Sequence, residues 1–187
     1  MPTTLESIQT RRAIQDMVLA GQIDSAIAKV TQITPSFFDN NATLMFRLTC
    51  RKFVETVALR QGGNDDAGGG GGAADDEKLG ELLALGQELQ MLFDRLQSPS
   101  EPDQTLLQDA FSLLAYTNLA ECPVAALLQQ SHRAPLAKEL NSAMLVAAGQ
   151  QPQPPLEQII DHTGECLKQM RLEGHGEAAF IRLEHFA

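Results

Sequence analysis

Apolar residues recur at helical spacing along most of this chain, and no segment shows the sustained alternation and β-branched enrichment of a strand. The first periodic stretch predicts a helix over about 5–20, with Gly21 placed to close its C-terminal end. A second, about 23–33, gathers Ile23, Ala26, Ile27, Val30 and Ile33 on one side. The loop between them is too short for anything but an antiparallel pair. Pro35 to Phe38 reads as a turn whose two adjacent phenylalanines plug the open end of the hairpin.

A third helix is expected over about 42–59, capped by Asn40 or Asn41. Phe46, Cys50, Phe53 and Val57 define one face, while Leu44, Met45 and Leu48 point away from it. Its first half is therefore apolar nearly all round, the pattern of a helix buried on two sides. One side can pack on the hairpin; the other calls for a second layer or another chain.

Residues 61–76, QGGNDDAGGGGGAADD, cannot bury enough apolar surface to offset their ordering entropy and read as a flexible linker. They are no phosphate-binding loop, because GxxxxGK[ST] and a preceding strand are both missing. Helical spacing resumes over about 77–96 with Leu79, Leu82, Leu83, Gly86, Leu89, Phe93 and Leu96 on one stripe. Gly86 on that stripe suggests close approach of another helix. SPSEPD, 98–103, reads as a turn, followed by helices over about 104–116, 124–128 and 135–148, the last ending at Gly149. QQPQPP, 150–155, is a stiff break. A long helix over about 156–172 carries Leu156, Ile159, Ile160, Thr163, Leu167 and Met170 on one stripe, and 177–186 forms a last short one. The expectation is an all-α protein of about nine helices, in two lobes on either side of the glycine stretch.

Composition adds bounds. A chain of 187 residues buries a real core without staples. With eight Phe, one Tyr and no Trp, that core rests on aliphatic residues, which suit helices. The net charge of −10 is uneven: residues 1–60 hold seven Lys/Arg against five Asp/Glu, and 61–187 hold seven against nineteen. Such acidity argues against nucleic acid and against anionic membranes as partners. The longest apolar runs are too short to span a bilayer, and no signal peptide is evident. Three widely spaced cysteines, Cys50, Cys122 and Cys166, fit reduced thiols in the cytosol or nucleus better than a disulfide framework.

Chemistry finds little support. His162 and Cys166 share a helix face with Glu165 adjacent, but a thiol nucleophile also needs an orienting group and an oxyanion site. As metal ligands the pair lacks third and fourth donors. A helix surface carrying a half-buried cysteine is the preferred reading. His132, His175 and His185 read as surface residues, and Ser112 lies in FSLLA, not in a GxSxG elbow. Neither a cofactor nor a metal site is expected.

RRAIQDMVLAGQIDSAIAKV (11–30) and LMFRLTCRKFVETV (44–57) resemble a CTLH motif. DAFSLLAY (109–116), CPV (122–124), LNSAML (140–145), QPPLEQ (153–158) and TGECLKQM (163–170) resemble a CRA domain. Together they are similar to the C-terminal region of the RanBPM family of Ran-binding scaffolds. The resemblance implies a CTLH motif over 1–60 and a CRA domain over 77–187, with 61–76 standing where the family usually has a long low-complexity insertion. The family's SPRY domain and LisH motif have no counterpart in this chain, which is therefore expected to be an excised piece of such a scaffold.

The resemblance further implies a non-enzymatic adaptor, cytoplasmic and nuclear, that assembles subunits of a CTLH-type E3 ubiquitin ligase. Its expected partners carry CTLH/CRA or LisH motifs, among them muskelin and the small CTLH scaffold subunit, and self-association is a further outcome. In the family the first part of the CRA folds back on the CTLH helices and its last helices pair with LisH motifs. The interface candidates are Leu44, Met45, Leu48 and Tyr116, with the stripe Leu156, Ile160, Leu167 and Met170. For the first three the alternative is packing against the chain's own CRA helices; for the last four it is packing on Phe180 and the final helix. Two other functions remain open. One is a groove that takes short amphipathic helices of client proteins; the other, ranked far below, is a thiol enzyme using Cys166.

Overall fold

The computed structural model describes residues 4–62, 73–116, 118–119, 122–152 and 155–174. Eight α-helices run through them: α1 (Thr4–Leu19), α2 (Ile23–Ile33), α3 (Phe37–Asn40), α4 (Ala42–Gly62), α5 (Ala73–Asp94), α6 (Glu101–Ser112), α7 (Arg133–Ala147) and α8 (Pro155–Leu172). Single 3-10 turns occupy Leu113–Ala115, Ala125–Leu128 and Gln130–His132. No strand occurs among the described residues, so the fold class is all-α as the periodicity indicated. The central residues 63–72 of the glycine-rich stretch and the expected helix over 177–186, with Phe180, lie outside the described residues.

Local chemistry explains several helix ends. Gly21 adopts φ +81°, its N–H donates to the Val18 carbonyl and that of Gln22 to Met17. That pair of bonds is a Schellman closure, which needs a left-handed residue and so favours glycine. Gly149 closes α7 the same way at φ +71°, with its N–H on Val146 and that of Gln150 on Leu145. Two ends differ from expectation. SPSEPD is not simply a turn: Ser100 accepts from the Asp103 N–H, and Pro102 fits the first turn without a lost bond, so α6 starts at Glu101. Phe37 and Phe38 begin the short α3 and meet edge to face at 5.1 Å, with Phe37 buried. Asn41, which precedes α4, donates its side-chain amide backward to the Phe37 carbonyl.

By its internal contacts the chain divides into two units, residues 1–143 and 144–187, with the boundary inside α7. The first unit has a core that draws on both sides of the glycine stretch. Phe46, Cys50, Phe53, Val54 and Val57 of α4 join Leu82, Leu85 and Leu89 of α5 and Leu107 and Ala110 of α6. Leu113, Leu119 and Cys122 complete it. Helix α5 packs along α4, which places the helices flanking the glycine stretch in one body. Phe46 stacks tilted on Phe93 and Phe53 meets Phe111 edge-on, each at 5.5 Å, a spacing worth about 0.5–1.5 kcal/mol beyond burial. Gly86 faces these rings, not a second backbone: a methyl there would lie 3.6 Å from both Phe53 and Phe111, an ordinary contact. The second unit contributes the end of α7 and all of α8.

Candidate functional site

Helix α4 organises the first unit through charge as well as through its apolar face. Arg47 Nε donates to Asp103 Oδ1 of α6 at 2.8 Å, and its Nη1 to Glu139 Oε1 of α7 at 2.7 Å. Ser100 donates to the other Asp103 oxygen at 2.6 Å. Burial works to raise the pKa of the Asp103 carboxyl, but the hydrogen bonds from Arg47 and Ser100 and the charge of Arg47 outweigh it and hold the pKa below its usual value. One turn on, Glu55 accepts from Arg51 of its own helix and from Arg133 of α7, the latter at 2.8 Å. Arg51 also donates to the Leu127 carbonyl at 2.7 Å, and Arg133 to the Leu19 carbonyl at 3.0 Å. Gly21 lies against this group: a β-carbon there would sit 2.7 Å from Arg133 Nη2 and Glu55 Oε2. These bonds tie α4 to α6, to α7, to the α1–α2 corner and to the 3-10 turn at Leu127.

Leu44, Leu48, Arg51 and Glu55 share the helix face opposite Phe46 and Cys50. The expectation that α4 is buried on two sides therefore holds, and its second layer comes from this chain. Leu44 is 4% exposed and Leu48 0%, so neither is presented to a partner in this state; Met45 is half-buried. Tyr116, at the end of a 3-10 turn, is 38% exposed.

The other candidates sit on α8 of the second unit. Leu156 is 68% exposed, Ile160 half-buried, Leu167 buried and Met170 exposed. Ile159 and Leu172 add to the exposed apolar surface of this helix. The same helix carries the His162–Cys166 pair, with Sγ and Nε2 3.8 Å apart. Cys166 is exposed, not half-buried as its spacing suggested, because it lies off the side that buries Leu167. Glu165 pairs with Lys168 at 3.1 Å. Among the described residues no group of three or more His, Cys, Asp or Glu could hold a metal ion. Burial drives the Cys50 thiol far above its usual pKa, with the Asp103 charge adding, so Cys50 stays a neutral thiol near pH 7. Ser112 donates to the Asp109 carbonyl at 2.8 Å, a helical back-bond. No helix of the described residues is long and apolar enough to cross a membrane.

The described residues of the first unit enclose concavities between their helices. One, about 190 Å³, lies between α4, α6 and α7 and is lined by Cys50, Val54, Leu106, Leu127, Pro135 and Leu136, with Arg47, Arg51, His132 and Glu139 around them. Both arginines are already engaged, so it offers a visitor an apolar wall sized for one or two side chains. A second, about 410 Å³, is a trough between α1 and α7.

A protein-family model described as "CTLH/CRA C-terminal to LisH motif domain" matches residues 7–171. The chain belongs to the CTLH/CRA family. Relatives include the Ran-binding proteins 9/10 homolog of Drosophila melanogaster, 35% identical over 107 residues, which are 56% of this chain and 11% of that protein. The GID8 homolog of Arabidopsis thaliana is 29% identical over 159 residues, 83% of this chain and 56% of that protein. Ran-binding protein 9 of Homo sapiens is 33% identical over 108 residues, 56% of this chain and 15% of that protein. The chain thus spans about half of one relative and a small part of the others. No solved structure matches. The kinship expected from 11–57 and 109–170 is thereby established.

What spacing could not reveal in this CTLH/CRA chain is the polar clasp on α4. Arg47 meets carboxylates 56 and 92 residues away, and Arg133 meets one 78 residues away. Only Arg51–Glu55, four apart on one helix, left a legible signal.

Proposed function

We propose that this chain is a non-enzymatic assembly module, the CTLH–CRA region of a RanBPM-like scaffold within a CTLH-type E3 ubiquitin ligase. In this reading residues 1–60 form the CTLH motif and 77–187 the CRA domain; of the stretch 61–76 between them, Gln61 and Gly62 end α4 and Ala73 to Asp76 begin α5. The observation that carries it is the surface of α8, where Leu156, Ile159 and Met170 stand exposed on one side of a helix in a family member. Apolar side chains exposed along one side of a helix favour a partner that removes them from water. The partner is a subunit with CTLH/CRA or LisH motifs, of the muskelin or small CTLH scaffold kind, or a second copy. A stable interface of this type buries on the order of 2,000 Å² or more. The module works in the cytoplasm and the nucleus and makes no bond changes itself; it raises the local concentration of the subunits it holds.

Size-exclusion chromatography with light scattering, alone and with a GID8-type subunit, tests this. The expected result is self-association or stoichiometric co-elution, lost in Leu156→Asp with Ile160→Asp. Unchanged complexes in that variant would remove α8 from the interface. A tagged chain restricted to one compartment would correct the localisation.

A second reading rests on the cavity between α4, α6 and α7. Its apolar wall of Leu106, Leu127 and Leu136 suits one anchoring side chain of a client helix. A chain that stays monomeric and binds such peptides would favour it.

A further inference from the structure

The trough between α1 and α7 is built differently from the rest of this acidic molecule. Its α1 wall is Ile8, Arg11, Arg12, Gln15, Asp16 and Leu19, and its α7 wall is Ala134, Ala137, Lys138 and Asn141. Both sets follow helical spacing, so each is one continuous face turned to a common concavity. Ile8 and Leu19 are 50% and 45% exposed and stand about 16 Å apart along the helix, three turns of wall. On α7 two of the four wall residues, Ala134 and Ala137, are small.

The charge is inverted. Three cations, Arg11, Arg12 and Lys138, line the trough with one carboxylate, Asp16, in a chain of net charge −10. Arg11 donates to the neutral Ser7 hydroxyl at 2.7 Å, and neither Arg11 nor Arg12 takes part in the ion pairs of Arg47, Arg51, Lys52, Arg133 and Lys168. The arginines of α4, by contrast, are matched to carboxylates of their own chain.

We propose that this trough is a docking site for an acidic amphipathic helix of a partner protein. Its apolar ridge rests on Ile8, Leu19 and Ala134, and carboxylates on adjacent turns meet Arg11 and Arg12. The guanidinium groups supply planar, paired donors that match carboxylates, and their stems extend the apolar floor. A third helix laid between two is the ordinary helix-in-groove geometry. The site stands apart from the pairing role of α8, and either can fail without the other.

The test uses the full chain and a synthetic helical peptide of about four turns, with leucine along one face and glutamate beside it. Fluorescence anisotropy should show saturable binding that weakens several-fold between low and moderate salt. Arg11→Glu with Arg12→Glu should weaken it at least tenfold, while Arg95→Glu, which does not line the trough, should leave it unchanged. Circular dichroism and an unchanged Tm show that the double variant folds. Amide cross-peaks that move on titration should lie on α1 and α7. Equal binding of a lysine-for-glutamate peptide, no saturable binding, or shifts confined elsewhere would overturn the proposal. So would binding of phosphatidylglycerol vesicles in place of the peptide, or self-association that charge reversal dissolves and peptide does not.

Discussion

Helices α4 and α8 are both long, and both display apolar residues at helical spacing, yet they meet opposite fates. Helix α4 is covered on both faces: Phe46, Cys50 and Phe53 in the main core, Leu44 and Leu48 on the reverse. Helix α8 buries Leu167 and leaves Leu156, Ile159 and Met170 exposed. The difference lies in the polar residues. On α4 Arg47, Arg51 and Glu55 reach elements far away in sequence and fix the second layer. On α8 Lys168 meets Glu165 and Gln169 meets Glu173, each within about one turn of the same helix. An apolar stripe thus shows only that something covers a helix; the charges beside it show whether that cover belongs to the same chain.

The largest expected effect is at the hidden reverse face. Leu48→Asp, alone or with Leu44→Asp, places a carboxylate where no side-chain surface reaches water and should cost more than about 4 kcal/mol. The measurement is loss of the cooperative transition in a thermal melt by circular dichroism. A stable double variant that only loses partners would show that this face is an interface after all.

Next comes the clasp. Glu55→Ala leaves Arg51 and Arg133 without their shared carboxylate and should destabilise by about 2–3 kcal/mol, the partial exposure of the group reducing the value for a fully buried pair. Urea unfolding with an unchanged m-value would measure it. A loss under about 0.5 kcal/mol would mean that packing alone holds the second layer.

A smaller effect is expected from pH. The folded-state pKa of Asp103 lies below its unfolded value, so its contribution is present above about pH 4 and fades as pH falls through the lower, folded-state value. Asp103→Asn should flatten this acid limb of Tm against pH. An identical limb in wild type and variant would place the acid sensitivity elsewhere. The smallest effect belongs to α8: Leu156→Asp should change the stability of the isolated chain by no more than about 0.5 kcal/mol, because the side chain is already in water. A large loss of stability there would erase the contrast with α4.

The fold was largely legible because helices announce themselves twice, in period and in punctuation. Gly21 and Gly149 marked their helix ends correctly, and the all-round apolarity of 44–48 foretold a two-sided burial. SPSEPD has the composition of a turn, and only the bond from the Asp103 N–H to Ser100 Oγ reveals Ser100 as a helix cap. The division of the first unit was misleading for another reason: a glycine run separates segments in sequence, whereas α4 and α5 pack together in space. The candidate surface was half legible. Periodicity grouped Leu156, Ile160, Leu167 and Met170, but it could not say that Leu167 turns inward and Leu156 outward. The basic trough was invisible, since Arg11 and Lys138 come together only once α1 and α7 are placed.

One consequence follows from the pairing of α4 with α5 across residues 63–72. Because the helices on either side are held by their own contacts, the connection between Gly62 and Ala73 does not set their geometry. Lengthening a flexible connection costs only about 0.6 kcal/mol for each doubling. Sequence spliced in at this position, by evolution or by an engineer fitting a reporter, is therefore expected to cost the α4–α5 pairing little.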